Sequence, residues 1–293
     1  MPEARGGTVA TVHGQVGSED RVDHIFYAID ASWPWIIRLL IVATAFLVIT
    51  PVLLSIVTSL SGSIAFPPTT WTTAAYEHIS ASTFRAFGTS LRLGILAVIF
   101  AMLLAFPAAL VLVRSQLPGR TVLEAFFRSP LQVPSVVIGV AFFQFFTLLL
   151  NSFDIRLRGE FTGLLAAHVL ILTPLMLGIF VARIAAIGRD YEDAAYGLGA
   201  GPIRTTIFVL LPLMRPALVA GGIIGFLFSF NEVTASMFLT GANTSTLPVE
   251  ILGMVQFEFT TVVYAVSTIT AVLAVLGAIG IDRFIGLRSV LSS

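Results

Sequence analysis

The sequence predicts an all-α integral membrane protein built as a six-helix transmembrane bundle, and three observations carry that reading. Of 293 residues, 57% are hydrophobic and only 11% are charged, where soluble domains carry about a quarter. Six apolar runs lie near the ~20 residues that cross a hydrocarbon core. Those runs lack the two-residue alternation of strands and are too long for them. A single soluble domain has no means of hiding six helices that are apolar all round.

In chain order, residues 1–35 are polar and acidic (Glu3, Glu19, Asp20, Asp23, Asp30) and read as a cytoplasmic N-terminal tail. Within them Ile25–Trp35, with Phe26, Tyr27, Trp33 and Trp35, reads either as an aromatic anchor in the interface or as disordered tail. The apolar runs start late and long, which argues for an uncleaved first helix over a signal peptide. They are Ile36–Leu60, Leu93–Val113, Pro130–Leu150, Thr162–Ala182, Pro216–Thr240 and Val262–Ile281, so the transmembrane domain is read as 36–293. The second, third, fourth and sixth contain no Asp, Glu or Arg. Pro51, Pro107, Pro134 and Pro174 each remove a backbone donor and bend a helix, and bends of that kind open space in a bundle.

All 16 basic residues are Arg. With a cytoplasmic N-terminus, 12 fall on one side (Arg5, Arg21, Arg38, Arg114, Arg120, Arg128, Arg183, Arg189, Arg204, Arg215, Arg283, Arg288). The other side receives 4 (Arg85, Arg92, Arg156, Arg158). That bias places both termini inside. The absence of Lys removes the residue that a phosphate-loop ATPase puts on its β/γ-phosphates. There is no Cys, hence no thiolate metal site or cysteine nucleophile. Gly197-Leu198-Gly199-Ala200-Gly201 is not a phosphate loop, since it follows no strand and lacks Lys. Ser–His, paired-Asp and His-Glu-x-x-His arrangements for membrane proteolysis are missing too. The chain is not read as an enzyme by itself.

The connection after the fourth run is the most informative stretch. From Gly188 to Pro212 it is 25 residues long, against ~2–8 for typical helix connections. Asp190, Glu192 and Asp193 suit the first turn of a short helix, where the dipole favours carboxylates. Ala194, Ala195 and Leu198 give it a small apolar face. Gly199 and Gly201 stop it, and Pro202 starts a second helical piece at a position where its missing donor is harmless.

This segment resembles the signature of ABC-importer permeases: Glu-Ala-Ala, three residues, Gly, nine residues, Ile, one residue, Leu-Pro. The matching residues are Asp193-Ala194-Ala195, Gly199, Val209 and Leu211-Pro212, with Asp for Glu and Val for Ile as the departures. From Ser129 onward the chain is similar to the spermidine/putrescine-type branch. The resemblance there rests on Phe228-Ser229-Phe230-Asn231-Glu232-Val233, Phe238-Leu239-Thr240-Gly241 and Thr246-Leu247-Pro248.

The resemblance implies a type I, MetI-like permease fold and an ATP-driven importer in the bacterial inner membrane. In such an importer the loop acts as a coupling helix, here about 189–201, docking on separate ABC ATPase subunits. It implies Glu192, Asp193, Ala194, Ala195, Gly199, Leu211 and Pro212 as docking residues. It also implies a second, different permease subunit and a periplasmic solute-binding protein. No cofactor is expected on this chain, because ATP and Mg belong to the partner ATPase. Polyamines such as spermidine or putrescine are the first substrate expectation.

Asn231 and Glu232 are read as lining the substrate path. A carboxylate within the membrane costs several kcal/mol unless paired, protonated or wet. For Glu232 a structural pair and a position at the helix mouth stay open as alternatives. His168 and Gln144 read as packing polar groups, and Gly221, Gly222 and Gly225 as a close helix contact. The competing reading is a gradient-driven secondary carrier or channel that uses Glu232 as a cation site. No internal repeat of the kind common in carriers is visible.

Overall fold

A computed structural model describes residues 16–115, 118–241 and 243–285. The chain divides into two units, residues 1–57 and 58–293. The first is occupied by α1 (Val16–Ser59), which holds Pro34 and Pro51 inside it. It starts twenty residues before its apolar run. Val16–Trp35, read from sequence as tail, is therefore helical. Residues 1–15 lie outside the described residues.

The second unit opens with α2 (Ala74–Glu77), followed by α3 (Ala81–Arg114). The helix α3 begins twelve residues ahead of the apolar run Leu93–Val113. Ser80 caps it by accepting from the Thr83 amide, and nothing in the polar turn Ser82–Arg92 breaks a helix. Arg120–Arg128 forms α4, and a 3₁₀ turn occupies Ser129–Gln132. Next comes α5 (Ser135–Phe153), and the expectation of a helix from Pro130 with a kink at Pro134 is corrected. Pro130 and Pro134 stand four apart and both lack a donor, so the chain restarts at Pro134, whose carbonyl accepts from Val137 and Ile138. Pro107 and Pro174 do lie within helices, in α3 and in α6 (Phe161–Ile187).

After α6 come α7 (Asp190–Gly197), α8 (Pro202–Thr205), a π turn (Thr206–Leu210) and α9 (Leu211–Leu213). The fifth apolar run is not one helix. It gives α10 (Arg215–Phe230) and then α11 (Ser236–Leu239), with a break between them. The chain ends with α12 (Leu247–Phe257) and α13 (Thr261–Ile285). Among the described residues, four helices are by length and apolarity able to cross a bilayer alone: α1 from Trp33, α3, α5 and α6. A fifth span is Pro202–Leu213 taken with Arg215–Phe230, bent by 67°, and α13 is apolar over Thr261–Gly277.

The core of the second unit is the contact of α3 with α6, against which α10 packs. Ala97, Ala101, Ala105 and Ala109 recur every four residues along α3 and are fully buried with Leu172, Met176, Phe180 and Ile184 of α6. Without a hydrophobic drive between helices in lipid, adhesion comes from close approach, which small residues allow. The same logic governs α10. A Cβ at Gly225 would collide with the Met176 methyl, and one at Gly221 would lie 3.3 Å from its sulfur. A second cluster joins Leu93, Phe146, Leu164, Ala167 and Leu239, tying α5 and α11 to α3 and α6.

Candidate functional site

Two places collect the candidate residues. The first is the connection between α6 and α10. Its helix starts at Asp190, with Asp190, Glu192 and Asp193 in the first turn. It closes on Gly199, at φ +83°, where the Gly199 and Ala200 amides donate back to Tyr196 and Ala195. That left-handed conformation is open to Gly at little cost and strained for other residues. Pro202 then opens α8 as its first residue.

The candidate docking residues divide into three groups. Asp193, Ala194 and Gly199 are exposed on the loop. Glu192 and Ala195 face inward. Glu192 is only 8% exposed and pairs with Arg114, Nε to Oε1 at 2.7 Å. The same guanidinium donates through Nη2 to the carbonyls of Gly188 (2.8 Å) and Ile184 (3.2 Å), while Arg189 donates to the Arg114 carbonyl. One Arg at the end of α3 thus holds the last turn of α6, the glycine hinge and the first turn of α7. Glu192, expected on the docking surface, is a tether within the chain. Leu211 and Pro212 form the third group, half-buried at the bend. Pro212 lacks the amide that would bond to residue 208, and the preceding turn widens to a π turn in which Leu211 donates to Thr206. Arg183 of α6 donates twice to the Leu213 carbonyl and fixes the bend.

The outward surface of the loop is apolar where water would favour polar groups. Leu198 is 90% exposed and Ile203 76%, with Tyr191 and Tyr196 exposed beside them. Sequence reading placed Leu198 on a small apolar face but did not foresee so full an exposure.

The second place is the break after α10. Asn231 donates one amide hydrogen from Nδ2 to the Leu227 carbonyl (2.8 Å) at the helix end. Glu232 accepts from the Ala235 amide through its carboxylate (2.7 Å) and so starts α11. These two side-chain bonds compete with helix continuation. Glu232 is therefore not inside a helix as expected; it is buried at 8% exposure in the turn. His168 lies against the same turn, bonded to Ser229 (2.8 Å) and Ser236 (3.0 Å), and Ser236 donates to the Glu232 carbonyl. The imidazole read as a packing group is the bolt across the break. Asn231 is exposed and lines a cavity; Glu232 does not line it. Among the described residues no cluster of His, Asp and Glu has the makings of a metal site.

Residues 97–288 match the family described as binding-protein-dependent transport system inner membrane component. The chain belongs to that family. This permease is similar to the putrescine transport system permease protein PotI of Escherichia coli K12, 27% identical over 86% of this chain and 89% of that one. It is also similar to the spermidine/putrescine permease PotC of the same strain, 28% identical over 63% and 68%. To the sulfate permease CysT it is 31% identical, over 49% and 52%. Among solved structures, a bacterial ABC transporter that imports the acidic polysaccharide alginate superposes with a TM-score of 0.67, covering 90% of this chain and 98% of that one at 17% identity. The methionine ABC transporter MetNI gives 0.56, over 72% and 99% at 18% identity. The fold is accordingly the MetI-like type, and the permease is the multi-pass, non-enzymatic membrane component of an ABC importer.

Proposed function

We propose that this permease moves a small amine of the putrescine and spermidine kind inward, driven by separate ABC ATPase subunits that grip α7 and its glycine end. A second permease subunit and a periplasmic solute-binding protein complete the assembly, and both termini lie in the cytoplasm. The single observation that carries the docking part is the apolar tip: Leu198 and Ile203 stand out into solvent, with Tyr191 and Tyr196 exposed beside them. Large apolar groups exposed together in that way mark an interaction surface. Asp193, Ala194 and Gly199 stand on the same exposed stretch, and the open space around Gly199 lets a partner's backbone approach.

Motion at the loop reaches the bundle through Arg114 and Arg183, which bind it to α3, α6 and the bend before α10. The arrangement suits a rigid-body rearrangement over a local one. The amine is favoured over sulfate because the putrescine relative aligns over most of both chains, while the sulfate relative aligns over half. The test is reconstitution with the ATPase, second permease and binding protein in proteoliposomes, with ATP inside and labelled putrescine outside. ATP-dependent uptake that Leu198→Glu removes, together with loss of ATPase co-purification, is the expected result. Uptake without any ATPase would overturn the reading in favour of a gradient-driven carrier.

A further inference from the structure

A cavity of about 560 Å³ opens between α3, α10 and α13, and its lining includes no charged residue. Its polar side chains are Asn231 and Thr270, and both have a donor committed inside the chain. Asn231 Nδ2 donates to Leu227, and the Thr270 hydroxyl donates to Val266 at 2.8 Å. What they have left to offer is the two side-chain oxygens as acceptors and one Asn231 amide hydrogen. Three phenyl rings stand together beside them. Phe87 meets Phe230 edge-on at 6.1 Å, and Phe226 lies 5.6 Å from Phe230. Ring faces carry negative potential and attract organic cations. The helix α10 ends at Phe230, and its dipole presents negative charge at that end. At 16 residues, α10 is ~24 Å long, short of the ~30 Å hydrocarbon core. Irregular backbone at membrane depth is tolerated where protein buries it or a wet cavity lies beside it. Acceptors, aromatic faces and a helix C-terminus favour positive charge, and an anion would find no cationic group in the lining and one spare amide hydrogen, on Asn231.

We propose that the end of α10, with Phe87, Phe226, Phe230, Asn231 and Thr270, is a binding site for the protonated end of an alkylamine. The ammonium sits against the rings and donates a hydrogen bond to Asn231 Oδ1, while the alkyl stem runs along the apolar wall at Ile95. This deepens the proposed import function and rests on it only for the ligand's onward passage.

The test is equilibrium binding of labelled putrescine to the full chain in phosphatidylcholine nanodiscs, apart from any transport. Saturable binding is expected, competed by butylamine but not by 1,4-butanediol or sulfate. Phe230→Leu and Asn231→Leu should each weaken it by about tenfold, Phe230→Tyr should preserve it, and Phe259→Leu, outside the cavity, should leave it unchanged. No saturable binding at millimolar putrescine would overturn the site, as when a lipid chain or a partner helix fills the cavity. Equal competition by the diol, or wild-type affinity in both leucine variants, would overturn it as well. ATP-driven uptake by the assembled complex is measured separately. An importer active with an amine-blind cavity refutes this site alone, and amine binding without ATP-driven uptake refutes the import reading alone.

Discussion

Replacing Arg114 should do more damage than replacing Glu192, although the two form one ion pair. Arg114→Met leaves the Glu192 carboxylate charged and largely buried, and it also strips the carbonyls of Ile184 and Gly188 of their donor. Breaking a buried pair from one side costs about 3–5 kcal/mol. With side-chain exposures of 15% and 11%, water reaches the pair a little, so the lower part of that range, about 3 kcal/mol, is expected. Glu192→Gln keeps an oxygen in place for Arg114 Nε and leaves both carbonyl bonds. It loses the charge-assisted share, about 1–2 kcal/mol. The double variant Arg114→Met/Glu192→Gln removes both charges and should fall between the two, less damaging than the sum of its parts. Equilibrium unfolding in mixed SDS micelles ranks the three. Because the pair secures α7, Arg114→Met should also lose ATPase co-purification while the double variant recovers part of it. An Arg114→Met variant within about 1 kcal/mol of wild type, or strict additivity in the cycle, would refute the tether.

Three further outcomes are expected. A Cβ at Gly199 meets no atom within 4 Å but takes a φ of +83°, so Gly199→Trp should insert and fold with a loss of about 1–2 kcal/mol while ATP-driven uptake vanishes; normal uptake by this variant would contradict a docked loop. His168→Ala takes the imidazole partner from Ser229 and from Ser236, which keeps its bond to the Glu232 carbonyl, and should cost about 1–2 kcal/mol in the same unfolding assay. That loss should be non-additive with Ser236→Ala, and additivity would show that the imidazole does not bridge the break. Gly225→Leu drives a side chain into Met176 and should lower the yield of folded chain, with Met176→Ala recovering part of it. No recovery would mean that the helices approach elsewhere.

The spans were legible because lipid imposes one rule on every residue of a run, and hydropathy reads that rule directly. The loop helix was legible as well: acidic residues, small residues and glycine occur in the order that starts and ends a short helix, and the structure begins it at Asp190 and closes it at Gly199. What sequence could not supply were the pairings across distance. Glu192 looks like any first-turn carboxylate until Arg114, 78 residues earlier, is beside it. The signal available was that Arg114 is the first charge after an uncharged run. The break after Phe230 escaped for a different reason. Apolar residues continue to Thr240, so the hydropathy pattern favours one helix, while two side chains, Asn231 and Glu232, divert their hydrogen bonds to end one helix and start the next. Nothing in the sequence marked Phe87, Phe226 and Phe230 as a cluster, because an aromatic on a membrane helix has no sequence mark that distinguishes a cavity wall from a lipid face.

The alanine seam of α3 fixes what kind of lever the permease is. From Ala97 to Ala109 the seam runs twelve residues, ~18 Å along the axis, with the alanine methyls and the Phe106 ring, edge-on to Phe180, meeting α6. Such a joint has no soft polar link that yields first under load. Close-packed interiors are stiff and pass strain on, so α3 and α6 act as a double-walled strut. A push received at Arg114 emerges near Gly94 and Phe226 as displacement, beside the cavity, instead of dying away as bending inside either helix.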